Sequence, residues 1–301
     1  MGKPLIAIVA PFPSLAQVVA EVVAERAAEW PGDIQVVTGD LADGVLMARQ
    51  AVAAGAEVIV SRGGTATMIA QAVDVPVVEI QVTVLDVLRA LEQSGFVPGV
   101  IGVAGFSNVI YGCEDLGRLL GLVVREINTD ALSGGEVETK FAAVAREGIR
   151  LIVGDAISVK VAVQSGMEGI LIQSGKDSVY KAIKEAVRIV AVRRQEQARA
   201  ALLKTVIDCS ADGIMAIDDQ SRITLFNPMA EEIFQLRADQ VLGRPVTTVI
   251  LNSRLLALLT GGEPENGELQ NFGARVIATK RVPVTLNGTV MGAVASFQDV
   301  T

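Results

Sequence analysis

Short apolar runs alternate with amphipathic stretches along the first 173 residues of the chain. In the amphipathic stretches the apolar residues are three or four positions apart, which is the spacing of one face of a helix. Continuous apolar strands that alternate with helices are typical of a parallel sheet covered on both faces. The predicted strands are residues 5–10, 34–38, 56–61, 77–80, 100–104, 122–127, 150–153 and 169–173. The predicted helices are residues 14–30, 41–54, 63–73, 83–94, 109–120, 135–147 and 156–165.

The pattern restarts near residue 96, so this part of the chain divides into two similar halves, about 1–95 and 96–173. The matching segments are AEVIVSRGGTATMIAQAVDVPVVEI and GIRLIVGDAISVKVAVQSGMEGILI. Two such lobes that face each other form a cleft at the carboxyl ends of their strands, where open α/β sheets bind ligands. The prediction for residues 1–175 is therefore an α/β domain with two lobes, each built on a parallel sheet.

One long helix is predicted for residues 176–207, where Val179, Ile183, Val187 and Val190 follow a helical spacing. The later part of this segment is rich in Arg, Gln and Ala, which is too polar for burial on all sides. It fits a connector that pairs with a copy of itself. The alternative is a single helix packed on one lobe, and both interpretations can hold together.

The pattern changes after Asp208, and residues 208–301 are predicted to form a separate antiparallel α+β domain. Asn287-Gly288 is a strong hairpin signal between two strands. The Gly- and Glu-rich stretch at 260–268 is predicted to be a loop. The predicted strands are residues 213–218, 222–227, 275–285 and 289–298, and the predicted helices are residues 228–236 and 238–242.

Composition excludes several classes of function. The chain of 301 residues has a formal charge of −8 and no histidine, so Ser-His-Asp catalysis, Cys-His catalysis and His-ligated metal or haem sites are excluded. The richest basic run, residues 188–199, is interrupted by Glu196 and is interpreted as a solvated helix face, not a contact for nucleic acid. No apolar run has the length of a membrane span, and a cytoplasmic protein is expected.

The segment Ser61-Arg62-Gly63-Gly64-Thr65 is the first candidate site, since it lies where a strand turns directly into a helix. Free backbone N–H groups and the helix dipole favour an anion there, and the glycines allow close approach. Arg62 could hold a carboxylate, and Ser61 and Thr65 add hydroxyl groups. The segment lacks the lysine of a nucleotide-binding loop. The alternative is a tight turn without a ligand.

The second lobe offers matching turns after two of its strands. Gly105, Phe106, Ser107 and Asn108 follow the strand at 100–104, and Gly154 and Asp155 follow the strand at 150–153, with Ser158 in the next helical turn. Their polar side chains could bind a ligand, or they could cap the following helices. For four further residues capping is the preferred interpretation, and these are Ser14, Thr83, Asp86 and Asn227.

Stretches of this sequence resemble two known families. DGIMAID, RITLFNPMAEEIF, VLGRPV and VASFQDVT resemble a PAS sensor domain. The first 183 residues resemble the effector domain of the propionate-catabolism regulators, which are sigma-54-dependent activators. The stretches that carry this resemblance are SRGGTA, PVVEI, TVLDVLRAL, GFSNVIYG, IVGDAISVKVA and LIQSGKDSVYKAI.

The resemblance implies a two-lobed receptor of periplasmic-binding-protein-like shape that senses a small metabolite, 2-methylcitrate in the propionate branch. It further implies a homodimer whose contacts with sigma-54 polymerase and DNA are made by domains beyond the PAS domain, which this sequence lacks. Arg62 is the one clear cation near the expected cleft, with Lys160 in doubt, so a smaller or less charged acid is also expected to fit. No cofactor or metal is predicted. A histidine-kinase sensor and an enzyme acting on a small acid remain as alternatives.

Overall fold

The computed structural model describes residues 3, 5–93, 95, 99–130, 132, 134–250, 254–261, 263–272 and 275–301. The chain forms two compact units, Met1–Arg194 and Gln195–Thr301. The domain boundaries predicted at residues 175 and 207 stay a prediction.

The first lobe of the first unit is a parallel sheet of four strands in the order β2-β1-β3-β4. Its strands are β1 (Leu5–Ala10), β2 (Asp33–Thr38), β3 (Ala56–Ser61) and β4 (Val77–Glu79). Its helices are α1 (Pro13–Glu25), α2 (Leu41–Ala53) and α3 (Gly63–Ala70), with a short 3₁₀ helix at Ala27–Glu29. The central strand β1 is buried along almost its whole length, as its continuous apolar sequence predicts.

The second lobe repeats this plan with the strand order β6-β5-β7-β8, which confirms the predicted two-lobed parallel architecture. Its first helix is α4 (Val84–Gln93), and its strands are β5 (Val100–Gly105), β6 (Val123–Asn128), β7 (Leu151–Gly154) and β8 (Glu168–Leu171). The other helices are α5 (Ser107–Ile110), α6 (Cys113–Leu120), α7 (Gly134–Arg146) and α8 (Ala156–Gln164). The helix predicted for residues 109–120 is thus two helices, because Gly112 adopts a left-handed conformation with φ 84° between them.

The long helix α9 (Lys176–Asp208) is confirmed, and an antiparallel sheet of the order β10-β9-β13-β12-β11 forms the C-terminal unit. The strands are β9 (Gly213–Asp218), β10 (Ile223–Phe226), β11 (Glu265–Phe272), β12 (Arg275–Leu286) and β13 (Thr289–Asp299). The helices are α10 (Pro228–Phe234), α11 (Ala238–Val241), α12 (Val246–Val249) and α13 (Leu255–Leu259). The loop predicted at 260–268 was partly wrong, since β11 begins at Glu265. An edge strand tolerates polar residues, because pairing with β12 supplies its hydrogen bonds.

Two helices pack on the opposite lobe from the strand that they follow in the sequence. Helix α4 follows β4 of the first lobe, yet its Val87 and Leu91 lie in the core of the second lobe with Val103. Helix α9 follows β8 of the second lobe, yet its Ile183 packs in the core of the first lobe with Ile8. The chain therefore crosses between the lobes twice. The packed-helix interpretation of the connector is confirmed for the part of α9 that precedes Arg194.

A buried carboxylate joins the two crossings. Asp86 is 1% exposed. Its Oδ2 accepts hydrogen bonds from the backbone N–H of Thr83 at 2.9 Å and from the Ser178 hydroxyl at 2.8 Å, and its Oδ1 accepts from the Gly175 N–H at 2.8 Å. Arg89 lies 3.3 Å from Oδ1. The start of α4, the start of α9 and the segment before α9 are thus held by one side chain, which goes beyond the capping role predicted for it.

Other predicted caps have mixed outcomes. Asp155 Oδ1 accepts the N–H of Ser158 at 2.7 Å and caps α8, and Asn227 Oδ1 accepts the N–H of Ala230 at 2.9 Å and caps α10. The prediction for Ser14 is wrong, because α1 begins at Pro13, whose fixed φ suits the first helical position.

Replacing Asp86 by Ala is expected to lower the free energy of unfolding of the first unit by about 3–5 kcal/mol, because several buried donors lose their acceptor. The single tryptophan, Trp30, reports this unit, since its ring lies 5.8 Å from that of Tyr180 on α9. Urea unfolding followed by Trp30 fluorescence measures the effect. Asp74→Asn, at an exposed aspartate of the same unit, is the control. Equal stability of both variants would contradict the role given to Asp86.

The effect of Asp86 is expected to depend on pH. Burial alone would raise the pKa of Asp86, but the hydrogen bonds from Thr83, Gly175 and Ser178 together outweigh burial and lower the pKa below its ordinary value. The carboxylate therefore stabilises the fold fully above the ordinary Asp pKa of about 4, and this contribution is lost as the pH falls through the lower, folded-state pKa. The stability difference between the wild type and Asp86→Ala should shrink in acid. A difference that grows in acid would contradict the assignment.

Candidate functional site

The candidate site is a cleft at the carboxyl ends of the two central strands of each lobe. In both sheets the first and third strands are neighbours, and the chain leaves them in opposite directions along the sheet, which opens a crevice there. The lining segments follow β1, β2, β3, β5 and β7, and the cavity that they enclose has a volume of about 70 Å³. The lining comprises residues 11–12, 40–41, 62–65, 106 and 155–157.

Arg62 reaches across this cleft from the end of β3. It is 6% exposed, and its Nη2 donates a hydrogen bond of 2.7 Å to the carbonyl oxygen of Ile172, in the segment that crosses back toward α9. Its guanidinium lies 5.5 Å from the ring centre of Phe12. Within the described part of the chain, Nη1 is buried and has no hydrogen-bond partner. One donor of a buried cation is therefore available to a ligand.

Burial lowers the pKa of the Arg62 guanidinium, and the carboxylates of Asp86, Asp155 and Glu79 oppose that shift. The group stays charged at neutral pH, since arginine is protonated under all ordinary conditions. It therefore presents a positive charge with little competition from water.

The start of α3 adds backbone donors beside Arg62. The first bond of this helix runs from the N–H of Ala66 to the carbonyl of Arg62, so the N–H groups of Gly63, Gly64 and Thr65 precede the helical ladder. Gly63 has φ 55°, a left-handed conformation that favours glycine. A Cβ on Gly64 would lie 3.2 Å from the ring of Phe106, so glycine here lets the lobes approach closely. The positive end of the helix dipole points into the cleft.

The side chain of Thr65 links the start of α3 to the start of α2. Its Oγ1 accepts a hydrogen bond of 3.0 Å from the N–H of Leu41. Leu41 has φ 40°, which is strained for a residue with a side chain, and it lines the cleft. The hydroxyl of Thr65 thus fixes a strained residue at the start of α2.

The second lobe places Asp155 opposite Arg62. Asp155 Oδ1 caps α8, whereas Oδ2 is buried and has no hydrogen-bond partner among the described residues. A Cβ on Gly105 would lie 3.2 Å from this Oδ2, so glycine at position 105 makes room for the carboxylate. The residues that follow, Ala156 and Ile157, line the cleft at the start of α8. A second helix therefore begins at the same crevice.

The structure brings half of the predicted site residues together in the cleft. The residues that line it are Arg62, Gly63, Gly64, Thr65, Phe106 and Asp155. Ser61 instead donates a 2.7 Å hydrogen bond to the carbonyl of Val9 in the core of the first lobe. Ser107 donates its backbone N–H to Asp130 at 3.0 Å. The side chain of Asn108 lies outside the described residues.

Three further predicted residues of the second lobe do not line the cleft, and these are Gly105, Gly154 and Ser158. A Cβ on Gly154 would lie 2.3 Å from the carbonyl oxygen of Ala104, so only glycine fits between β5 and β7. The Ser158 hydroxyl is buried without a hydrogen-bond partner in the part of the chain that the structure describes.

Sequence reasoning missed Phe12, Asp40, Leu41 and Ile157, which also line the cleft. Phe12 could have been found from the pattern, since it follows the apolar strand β1 between two prolines. Its place in the cleft depends on β1 being central in the sheet, which the sequence left open.

The chain belongs to the propionate catabolism activator family, whose model matches residues 31–196, more than half of the chain. A PAS fold follows at residues 201–300. Both resemblances found in the sequence are thereby confirmed. The chain contains sensory and regulatory domains.

The chain is also similar to curated proteins and to solved structures over part of its length. A probable C4-dicarboxylate sensor kinase of Bacillus subtilis (strain 168) is 34% identical over 90 residues, 30% of this chain and 17% of the relative. The sensor protein CitS of Halalkalibacterium halodurans is 29% identical over 110 residues, 36% of this chain and 20% of the relative. The chain thus spans about a fifth of the length of these relatives.

A crystal structure of an NtrC family transcriptional regulator from Clostridium acetobutylicum has a TM-score of 0.55 and 24% identity, and the match covers 64% of this chain and 98% of that one. At this identity the likeness shows the fold alone. No helix among the described residues combines the length and apolarity needed to cross a membrane.

Thr65→Val is expected to destabilise the first unit by about 1–3 kcal/mol, because the N–H of the strained Leu41 loses its acceptor while the side-chain volume is kept. Urea unfolding followed by Trp30 fluorescence measures this. Thr67→Val is the matched control, since Thr67 is exposed on the same helix. A loss as large in Thr67→Val would show that the helix, not the bond to Leu41, is affected.

Proposed function

We propose that this chain is the sensory part of a sigma-54-dependent transcriptional activator in the cytoplasm, and that it binds a small carboxylate between its two lobes without converting it. The single observation that supports this most is the buried Arg62, which lines the cleft and whose Nη1 has no hydrogen-bond partner among the described residues. The beginning of α3 adds backbone donors for the same acid group.

In this proposal the ligand signals through the segment that Arg62 contacts. Ile172 accepts a hydrogen bond from Arg62. Three residues later Gly175, which directly precedes α9, donates a hydrogen bond to Asp86 of α4. A carboxylate that pairs with Arg62 would change the position of this segment relative to the first lobe. Because α9 packs on that lobe and continues past Arg194 to Asp208, a small movement of its first part can be passed along the same helix.

A second candidate is the sensory part of a histidine kinase. It is favoured by the relatives of this chain that are described as sensor kinases. The family match at residues 31–196 favours the activator instead. Both candidates share the same ligand step, so the binding experiment below applies to either of them.

An enzyme that acts on a small acid in this cleft is the least supported function. The chain has no histidine, and the described residues that line the cleft include no lysine. A ligand recovered unchanged after prolonged incubation with the protein would support the receptor. Conversion of any acid in the panel would contradict it.

Arg62→Ala is expected to weaken binding of the acid by about 1.5–3 kcal/mol, the range for hydrogen bonds to charged groups. Isothermal titration with citrate, dicarboxylates, hydroxy acids and amino acids identifies a ligand and then compares the variants. Arg49→Ala is the control, since Arg49 is exposed on α2. Unchanged affinity in Arg62→Ala would remove Arg62 from the site.

We further propose that the chain forms a homodimer through the later part of α9 and the PAS domain. Val192 and Val206 are two heptads apart, Leu202 occupies the other apolar heptad position, and Cys209 directly follows the end of α9 at Asp208. Leu202 is 63% exposed and Val206 is 61% exposed. These side chains form an apolar stripe that a second copy of the helix would cover.

The stripe predicts a disulfide-linked dimer under mild oxidation, because a parallel helix pair brings the two Cys209 side chains to the same level. Cys209 is exposed, whereas burial, with help from Glu126, raises the pKa of the Cys113 thiol to about 11. Copper–phenanthroline oxidation and a non-reducing gel test this. Cys209→Ser should abolish the linked dimer and Cys113→Ser should leave it. A monomer in sedimentation velocity at high protein concentration would contradict the dimer.

A further inference from the structure

We infer that the cleft selects an acid with one carboxylate and, on the adjacent carbon, a hydrogen-bond donor such as a hydroxyl or ammonium group. This class includes 2-hydroxy acids and 2-amino acids. The inference rests on the proposed function, since it assigns the carboxylate to Arg62, but it adds a separate role for Asp155 as the residue that determines specificity.

Asp155 offers an acceptor that the described protein residues leave unused. Its Oδ1 is occupied by the N–H of Ser158, and this bond fixes the carboxylate on α8. Its Oδ2 is buried without a partner in the described part of the chain. A buried carboxylate oxygen without a hydrogen bond is unfavourable, so a ligand that donates to it gains free energy. A donor on the ligand would satisfy this oxygen.

The charge balance of the cleft disfavours a second carboxylate. Among the described lining residues Arg62 carries the only positive charge, whereas Asp40 and Asp155 carry negative charges. Asp86 and Glu79 also act on Arg62. One carboxylate on Arg62 uses the available cation, and another would face Asp155 at low local dielectric, where like charges repel strongly. A 2-amino acid or a 2-hydroxy acid has no second carboxylate and avoids this repulsion.

The remaining lining suits an apolar skeleton. Phe12 and Phe106 each follow the first strand of their lobe, and Leu41 and Ile157 lie beside the two helix starts. These side chains line the same cleft as Arg62 and Asp155. The lining therefore fits a small acid whose other carbons are hydrocarbon.

The test uses four acids with the same four-carbon chain that differ only at carbon 2. Butyrate carries hydrogen there, 2-hydroxybutyrate a hydroxyl, 2-aminobutyrate an ammonium, and ethylmalonate a second carboxylate. Citrate and succinate complete the panel. Isothermal titration near neutral pH measures each acid against the wild-type chain, Arg62→Ala and Asp155→Asn. In Asp155→Asn the side-chain oxygen can still cap α8, while a donor replaces the free oxygen.

The expected result is that 2-hydroxybutyrate or 2-aminobutyrate binds on the order of tenfold or more tightly than butyrate and ethylmalonate. In Asp155→Asn this advantage should disappear and ethylmalonate should gain. Arg62→Ala should weaken every acid that binds. Trp30 fluorescence and circular dichroism confirm that each variant is folded, and the comparison within the wild type stands without the variants.

Other results would overturn the inference. If butyrate or ethylmalonate binds as tightly as the two donor-bearing acids, or if only citrate or succinate binds, the role of Asp155 is wrong. If the acid that does bind binds more weakly to Arg62→Ala, the proposed function is still supported. If no acid of the panel binds at millimolar concentrations, the inference and the carboxylate receptor are both wrong.

Discussion

The arrangement of the first unit depends on a pair of crossings between its lobes that are held by one buried carboxylate. Helix α4 leaves the first lobe to pack on the second, and α9 returns from the second lobe to pack on the first. Asp86 accepts hydrogen bonds from the starts of both helices and from Gly175 between them. Because a buried charge of this kind is stable only while its donors stay in place, the two crossings must keep a fixed relation to each other. The cleft lies between lobes that are tied at this point.

The two lobes follow the same plan but place opposite charges at equivalent positions. Arg62 lies between the third strand of the first lobe and α3, and Asp155 lies between the third strand of the second lobe and α8. Each residue uses part of its hydrogen-bonding capacity on the protein, Arg62 on Ile172 and Asp155 on Ser158. Each keeps one buried polar atom without a partner among the described residues. A repeated fold thus yields an asymmetric site that can orient a ligand.

Much of the fold could be predicted from the sequence, because continuous apolar runs and helical spacing reflect local rules. The turns at Gly63-Gly64 and Gly154-Asp155 also indicated the site, since helix starts bind polar groups. What could not be predicted depends on distant contacts. Whether a residue at a strand end points into the core or the cleft is decided by the pleat and by which strand is central. The sequence therefore could not place the Ser61 hydroxyl, which bonds to Val9 in the core, or Phe12, which lines the cleft. The polar strand β11 forms through pairing with β12, which local propensity does not contain.

The two atoms that lack a partner among the described residues also bear on the free energy that the proposed ligand would supply. Each charge-assisted hydrogen bond contributes about 1.5–3 kcal/mol, so a ligand that satisfies both Arg62 and Asp155 gains about 3–6 kcal/mol over one that satisfies neither. Since every 1.4 kcal/mol is a factor of about ten, this favours the arrangement that aligns both groups by about a hundredfold or more. A ligand that reaches only Arg62 supplies half of that. A shift from a minor to a major population requires several kcal/mol of difference between the two states. The unpaired acceptor on Asp155 would therefore separate acids that merely occupy the cleft from acids that switch it.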